Sequence, residues 1–188
     1  MTRIYLLRHA SPAVQPGQAP STWRLSERGI EEARTLAVIA RSWKLTAIYS
    51  SAQPKASGTA AIIADELGLP VQLVEGLEEQ RWDAWIDNAD DFNETVRAIV
   101  ERPDESIGGC EAASAAGARF DAALRSLLPA SGPLVVVSHG RVLTAWLASV
   151  LSPESAYETW RAMPIPAFAK LEIEEGGRVR MLEDFRGV

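Results

Sequence analysis

The chain has 188 residues, 47% of them hydrophobic and 23% charged, and carries a formal net charge of −6. That length suits one domain with a real core. The acidic balance argues against a nucleic-acid or anionic-membrane partner, so any phosphate site has to be a local basic pocket. The one cysteine, Cys110, allows no internal disulfide, which favours a reducing compartment. The first apolar run is only Ile4–Leu7 before Arg8, too short for a signal peptide or a membrane span, and the cytoplasm is the expected location.

Residues 2–7 read as a strand, apolar as in a sheet covered on both faces. It stops at Arg8-His9, followed by Ala10-Ser11-Pro12. A Pro-rich loop runs to about Thr22. Ser26 caps a helix to about Trp43, with Ala33, Leu36, Ala37 and Ala40 at helical spacing. Ala47–Tyr49 is a short strand. Residues 54–67 form a helix closed by Gly68 and Pro70, and Val71–Val74 a further strand. Glu75–Asp90 keeps no period but carries Glu78, Glu79, Arg81, Trp82 and Trp85. Helices follow at about 91–101 and 111–128. Leu134–Val137 is a strand that ends at Ser138-His139-Gly140, and Arg141–Leu151 is a helix. Strands at about 167–173 and 178–183 flank Gly176-Gly177 as a hairpin.

Strands alternating with helices imply an α/β three-layer sandwich with a mainly parallel central sheet. Ligands of such sheets bind beyond the carboxyl ends of the strands. The chain has only two histidines, His9 and His139, and both leave strands at that end. If the two strands are neighbours, the histidines share a site.

The chemistry of those residues fits phosphoryl transfer. A neutral imidazole is a nucleophile towards phosphorus, and an adjacent guanidinium such as Arg8 holds two phosphoryl oxygens at once. His139 can donate to an equatorial oxygen. Gly140 lets a backbone N–H come close to a ligand, and the helix after it directs its positive end at the same place. Lys55 falls in the first turn of the helix after a strand exit, within reach of an anion, although by itself it reads better as a solvated lysine. Glu78 and Glu79 lie beyond a strand, and a carboxyl there can protonate a leaving oxygen if its pKa is raised. Arg81 and Arg141 could meet a second anionic group, or lie at the surface. There is no GxxxxGK[ST], no GxSxG and no clustered zinc spacing, so the expected chemistry needs neither metal nor cofactor.

Together these segments resemble the histidine phosphatase superfamily, which includes the cofactor-dependent phosphoglycerate mutases. The matching pieces are Leu7-Arg8-His9-Ala10, Leu25-Ser26-Glu27-Arg28-Gly29, the segment Ser50–Ala60, and Ser138-His139-Gly140, in the family's order over roughly residues 3–150. The resemblance implies that His9 becomes phosphorylated, that Arg8 and His139 bind the phosphoryl oxygens, and that Glu79 is the proton donor with Glu78 as the fallback. Lys55 stands where the family usually has a second arginine, keeping the charge without the planar two-point grip. Gln15 falls where many members carry asparagine and is a further phosphate-binding candidate. Ala10 replaces the usual glycine, and Ser11-Pro12 the Glu-Thr common in mutases.

The expectation is a single histidine phosphatase-like domain over residues 1–188. It would act as a metal-independent phosphomonoester phosphatase, working through a phosphohistidine on a small phosphorylated metabolite. The alternatives are a phosphoglycerate-type mutase, a protein phosphohistidine phosphatase, and a non-catalytic phosphate-binding scaffold kept open by Lys55. Neither the oligomeric state nor the substrate can be read from these residues.

Overall fold

The structure is a computed structural model that describes residues 1–82, 84–151 and 155–188. Its centre is a six-stranded sheet built from β1 (Thr2–Arg8), β2 (Ala47–Ser50), β3 (Val71–Leu73), β4 (Leu134–Ser138), β5 (Ala167–Ile173) and β6 (Val179–Arg186). The strand order is β3-β2-β4-β1-β5-β6. The first four strands in that order run parallel, while β5 is antiparallel to β1 and to β6. The expected hairpin is β5–β6.

Alternation along β1 builds the two covered faces. Ile4 and Leu6, with Leu134 and Val136 of β4, face α4 (Ala113–Ser126) and α5 (Gly140–Leu151) through Phe120, Leu124, Val142 and Trp146. Tyr5 and Leu7, with Val135 and Val137, face α1 (Glu27–Ala40) and α2 (Pro54–Leu67) through Leu36, Ala40, Ala60 and Ile63. Both strands are buried on both sides, as their uninterrupted apolar runs imply.

A smaller core joins α3 (Ala89–Glu101) to α6 (Ala156–Ala162) through Val96, Ile99, Cys110, Ala113 and Tyr157. The helix α6 was not expected. Two turns of helix are too short to show a period. Residues 152–154 before it lie outside the described residues. The α1 helix ends at Ala40, and a 3-10 turn, Arg41–Trp43, completes the segment that was read as continuous helix.

Ser26 caps α1 as expected, its hydroxyl accepting the Gly29 N–H at 3.0 Å. Gly29 is needed for another reason. A Cβ there would stand 2.0 Å from the Ser11 carbonyl oxygen. The loop after His9 is thus pressed onto the first turn of α1, and Ser26 Oγ donates to that same carbonyl.

Candidate active site

Pairing of β1 with β4 sets Arg8 opposite Ser138, so the next residue of each strand is a histidine. The His9 N–H donates to the Ser138 carbonyl at 3.0 Å, and the two imidazoles lie 5.1 Å apart, edge to face. Both are buried, His9 at 6% exposure and His139 at 0%.

His9 Nδ1 lies 2.8 Å from the Ala10 carbonyl oxygen, which can only accept. The proton is therefore on Nδ1, and Nε2 carries the free lone pair. Burial, then Lys55 and Arg8, push the His9 pKa down to about 3, so the ring is neutral at any working pH. The loop that presents it is tied to α2, because Thr59 Oγ1 accepts the Ala10 N–H at 3.1 Å and donates to the Lys55 carbonyl.

His139 reaches the same tautomer from its other nitrogen. Its Nε2 is 2.9 Å from Ser51 Oγ, whose other lone pair takes the Gln53 N–H. With the Ser51 hydroxyl donating to Nε2, the proton sits on Nδ1. That Nδ1 is buried with no partner among the described residues. Burial and the charges around it hold His139 well below its ordinary pKa. Sequence offers no sign that Ser51 faces His139.

Arg8 donates from Nη1 to the Met163 carbonyl at 2.5 Å and leaves Nε buried and unpartnered among the described residues. Gly140 has a visible use here. A Cβ on it would meet Arg8 Nε and Cζ at 2.9 Å, so the missing side chain makes room for the guanidinium. Lys55 is not solvated; it is 5% exposed, with Nζ donating to the Pro20 carbonyl at 2.6 Å and 5.9 Å from the Trp23 ring centre. Burial lowers its pKa to about 8.

The two acids separate cleanly. Glu78 turns away, accepting the Gly76 N–H and pairing with Arg81 at 3.2 Å and Arg119 at 3.3 Å. Glu79 turns in, where His9, Arg8 and Lys55 all feel its charge. Its Oε1 takes the N–H groups of Gln80 and Val142, both at 2.9 Å, and Oε2 takes the Arg141 N–H at 3.3 Å. The positive end of α5, expected to face a phosphate directly, is thus filled by the Glu79 carboxylate. The condition for a proton donor, a raised pKa, is not met in the free protein. Burial does push Glu79 up, but Arg141, Lys55 and the backbone N–H groups outweigh it and leave the net shift downward. Without ligand, Glu79 is a carboxylate.

Two supports of this loop carried no sequence signal. Ser138 Oγ donates to the Leu77 carbonyl at 2.8 Å. Arg119, a polar position of α4, donates to the carbonyls of Gly76, Glu78 and Glu79. Arg141 is no surface residue; it is 8% exposed and lies 4.8 Å from the Trp82 ring centre. Gln15 is exposed in the loop, and among the described residues its one bond is the Gln18 N–H to its carbonyl.

The centre is covered. The neighbouring open depression, about 470 Å³, is lined by Ser21, Gln53, Glu75 and Glu78 among others, and neither histidine reaches it. Among the described residues no cluster of His, Cys, Asp and Glu is built to hold a metal ion, and no helix is long and apolar enough to cross a membrane.

Residues 4–183 match the model of the histidine phosphatase superfamily, branch 1. The chain belongs to that family, and it is an enzyme of the histidine phosphatase type. A protein of Yersinia pestis named "Probable phosphoglycerate mutase GpmB" is 33% identical over 165 residues, spanning 80% of this chain and 75% of that one. Among solved structures, mycobacterial glucosyl-3-phosphoglycerate phosphatase superposes with a TM-score of 0.81 at 23% identity, covering 99% of each chain. A phosphoserine phosphatase of Entamoeba histolytica, in complex with 3-phosphoglyceric acid, gives 0.75 at 19% identity, covering 100% of this chain and 98% of the other. These two likenesses concern the fold.

Proposed function

We propose that the chain is one catalytic domain, a metal-independent phosphomonoester phosphatase that passes the phosphoryl group through His9 and serves a small phosphorylated metabolite. The observation that carries this reading is the His9 ring: Nδ1–H fixed on the Ala10 carbonyl, Nε2 free, and Arg8, Lys55 and His139 gathered around it.

The substrate phosphoryl group takes over as the partner of Lys55, displacing the Pro20 carbonyl, and meets Arg8 Nε and the His139 Nδ1–H. Three donors with two full charges neutralise the equatorial oxygens, which is the work a metal ion does elsewhere. His9 Nε2 attacks phosphorus as the ester P–O bond breaks. A phosphoryl dianion beside Glu79 offsets Lys55 and Arg141 and raises the carboxyl pKa, so Glu79 takes up a proton and passes it to the leaving alkoxide. Its carboxylate then removes a proton from water, which attacks phosphorus; the N–P bond breaks and neutral His9 returns.

The test is hydrolysis of para-nitrophenyl phosphate in EDTA, with a denaturing alkaline quench to trap enzyme labelled from the substrate's phosphorus. Metal-independent turnover and an acid-labile, alkali-stable phosphoenzyme are expected. Loss of turnover on chelation overturns the metal-free route, and stoichiometric turnover with no trapped label overturns the covalent one. The named similarity to a mutase makes one control necessary: with a phosphoglycerate, release of inorganic phosphate supports hydrolysis, and isomer formation without release supports the mutase.

Lys55 makes the pH dependence specific. Its folded pKa near 8 means that its charge is complete below that value and lost above it. On para-nitrophenyl phosphate, whose leaving group needs no proton, the ratio kcat/KM, which reports the free enzyme, is therefore expected to fall as pH rises through about 8. Lys55→Arg is expected to carry the plateau to higher pH, since a guanidinium keeps its proton there. An unmoved alkaline limb would remove Lys55 from phosphate binding.

A further inference from the structure

A neutral imidazole carries one N–H and one lone pair, so what it can bind depends on which nitrogen holds the proton. For His139 that choice is made by another element. Ser51, buried completely like His139, follows β2, and its N–H donates to the Val137 carbonyl at 3.0 Å. The exit of β2 is thereby stitched to β4 just before His139. The Ser51 hydroxyl oxygen takes the Gln53 N–H at 3.2 Å. Gln53 is the N-cap of α2, so this bond also ties Ser51 to the helix start that carries Lys55. The hydroxyl then has a single proton to give, and the acceptor it meets is His139 Nε2 at 2.9 Å.

We propose that Ser51 is a positioning residue, whose hydroxyl keeps the His139 proton on Nδ1 and so makes that ring a hydrogen-bond donor to the phosphoryl group. This rests on the phosphatase reading, in which His139 stabilises the group in transfer. Ser51 occupies Nε2, so Nδ1, buried and unpartnered among the described residues, is the nitrogen left to meet a phosphoryl oxygen. Such an oxygen can only accept. A lone pair at Nδ1 would repel it, and the buried ring would then oppose the step it serves.

The surroundings leave the choice to the hydroxyl. An imidazolium would donate from both nitrogens and need no such control. Burial first, then His9, Lys55, Arg141 and Arg8, hold His139 out of that form. Two neutral tautomers remain, and the Ser51 proton selects between them. His9 reaches its own Nδ1–H form by a different route, through the Ala10 carbonyl, a backbone acceptor that a side-chain substitution leaves in place. The two rings therefore control each other experimentally: a change at Ser51 should move His139 and leave His9 as it was.

The test reads the tautomer directly, by long-range proton–nitrogen correlation spectra of protein isotopically labelled in the ring nitrogens of its two histidines. In the wild type both rings should show Nδ1–H. In Ser51→Ala one ring should pass to Nε2–H or to a mixture, while the other, assigned by its loss in His9→Ala, stays Nδ1–H and reports that the centre is still folded. A wild-type His139 in the Nε2–H form overturns the proposal without any variant, and so does a His139 tautomer that Ser51→Ala leaves unchanged. On para-nitrophenyl phosphate, Ser51→Ala is expected to lose roughly 10- to 100-fold in kcat/KM, the range of a charge-assisted hydrogen bond. Inhibition by inorganic phosphate should weaken with it. In a His139→Ala background the same Ser51 change should cost less than about twofold, because the ring it acts through is gone. A loss that persists undiminished there would mean that Ser51 merely supports the start of α2, and overturns the positioning role. If the wild type does not hydrolyse para-nitrophenyl phosphate, it is the phosphatase reading that has failed. The spectra, with titrations of inorganic phosphate into the same proteins, then judge Ser51 alone.

Discussion

Replacing His9 by alanine is expected to lower kcat/KM by about 1,000-fold or more on every phosphomonoester and to abolish the trapped phosphoenzyme. No neighbouring group can take over. The Nε2 of His139 faces Ser51, and its Nδ1 is the atom that carries the proton. The Lys55 amine is protonated below about pH 8. The backbone around His9 should survive the change, since its N–H still bonds to the Ser138 carbonyl and the Ala10 N–H still bonds to Thr59.

Stability offers an independent readout of the same substitution. The buried ring takes a proton only near pH 3, whereas in the unfolded chain it does so near its ordinary 6.5. Between those values the unfolded state binds the extra proton, so the wild type loses stability as pH falls from 6.5 towards 3. The alanine variant lacks that loss. Its melting temperature should therefore gain on the wild type between pH 6 and 4, however the two compare at neutrality. Turnover within tenfold of the wild type would exclude His9 as the nucleophile, and parallel melting curves across that pH range would show that the ring is not buried neutral.

The sequence made the ingredients of this centre readable because each lies where an uninterrupted apolar run stops. Such a run marks a strand covered on both faces, and the polar residue that ends it has left the sheet. Arg8-His9 and Ser138-His139 are both of this kind. What the runs cannot encode is which strands are neighbours. That depends on the pairing of β1 with β4, about 130 residues apart in the chain. The same limit hid Ser51 and Arg119, whose roles exist only through partners on other elements. Glu78 and Glu79 were indistinguishable in a segment without a period. They part because Arg119 and Arg81 draw one outward while the exposed N–H groups at the start of α5 draw the other inward. Arg141 was misjudged as equally a surface residue because a single arginine at the start of a helix has no pattern to betray that Trp82 covers it. Gly140 was noticed for approach to a ligand, yet the contact that requires it is with Arg8.

Glu79→Gln is the change expected to separate the two halves of the reaction. Glutamine can keep its oxygen on the N–H groups of Gln80 and Val142, so the loop should hold its place. It cannot donate and then accept a proton. An alkyl phosphate expels an alkoxide, a strong base, and needs the proton in the first step; loss of about 100- to 10,000-fold is expected there. Nitrophenolate leaves readily without one, so the first step with para-nitrophenyl phosphate should persist. Attack of water on the phosphohistidine would still lack its base, and the variant should release one equivalent of nitrophenol in a burst, then stall. Equal losses on both substrates with no burst would deny Glu79 both roles. The pH profile sharpens the point. Arg141, Lys55 and the backbone keep the free carboxyl ionised at neutral pH, so the proton must enter with the substrate. A phosphomonoester sheds its last proton near about pH 6. Wild-type kcat/KM on alkyl phosphates should therefore decline as pH rises through that value, before the Lys55 limb begins. The decline should be absent in Glu79→Gln, which has no carboxylate to receive the proton, and present in Glu78→Gln, whose side chain serves Arg81 and Arg119 instead.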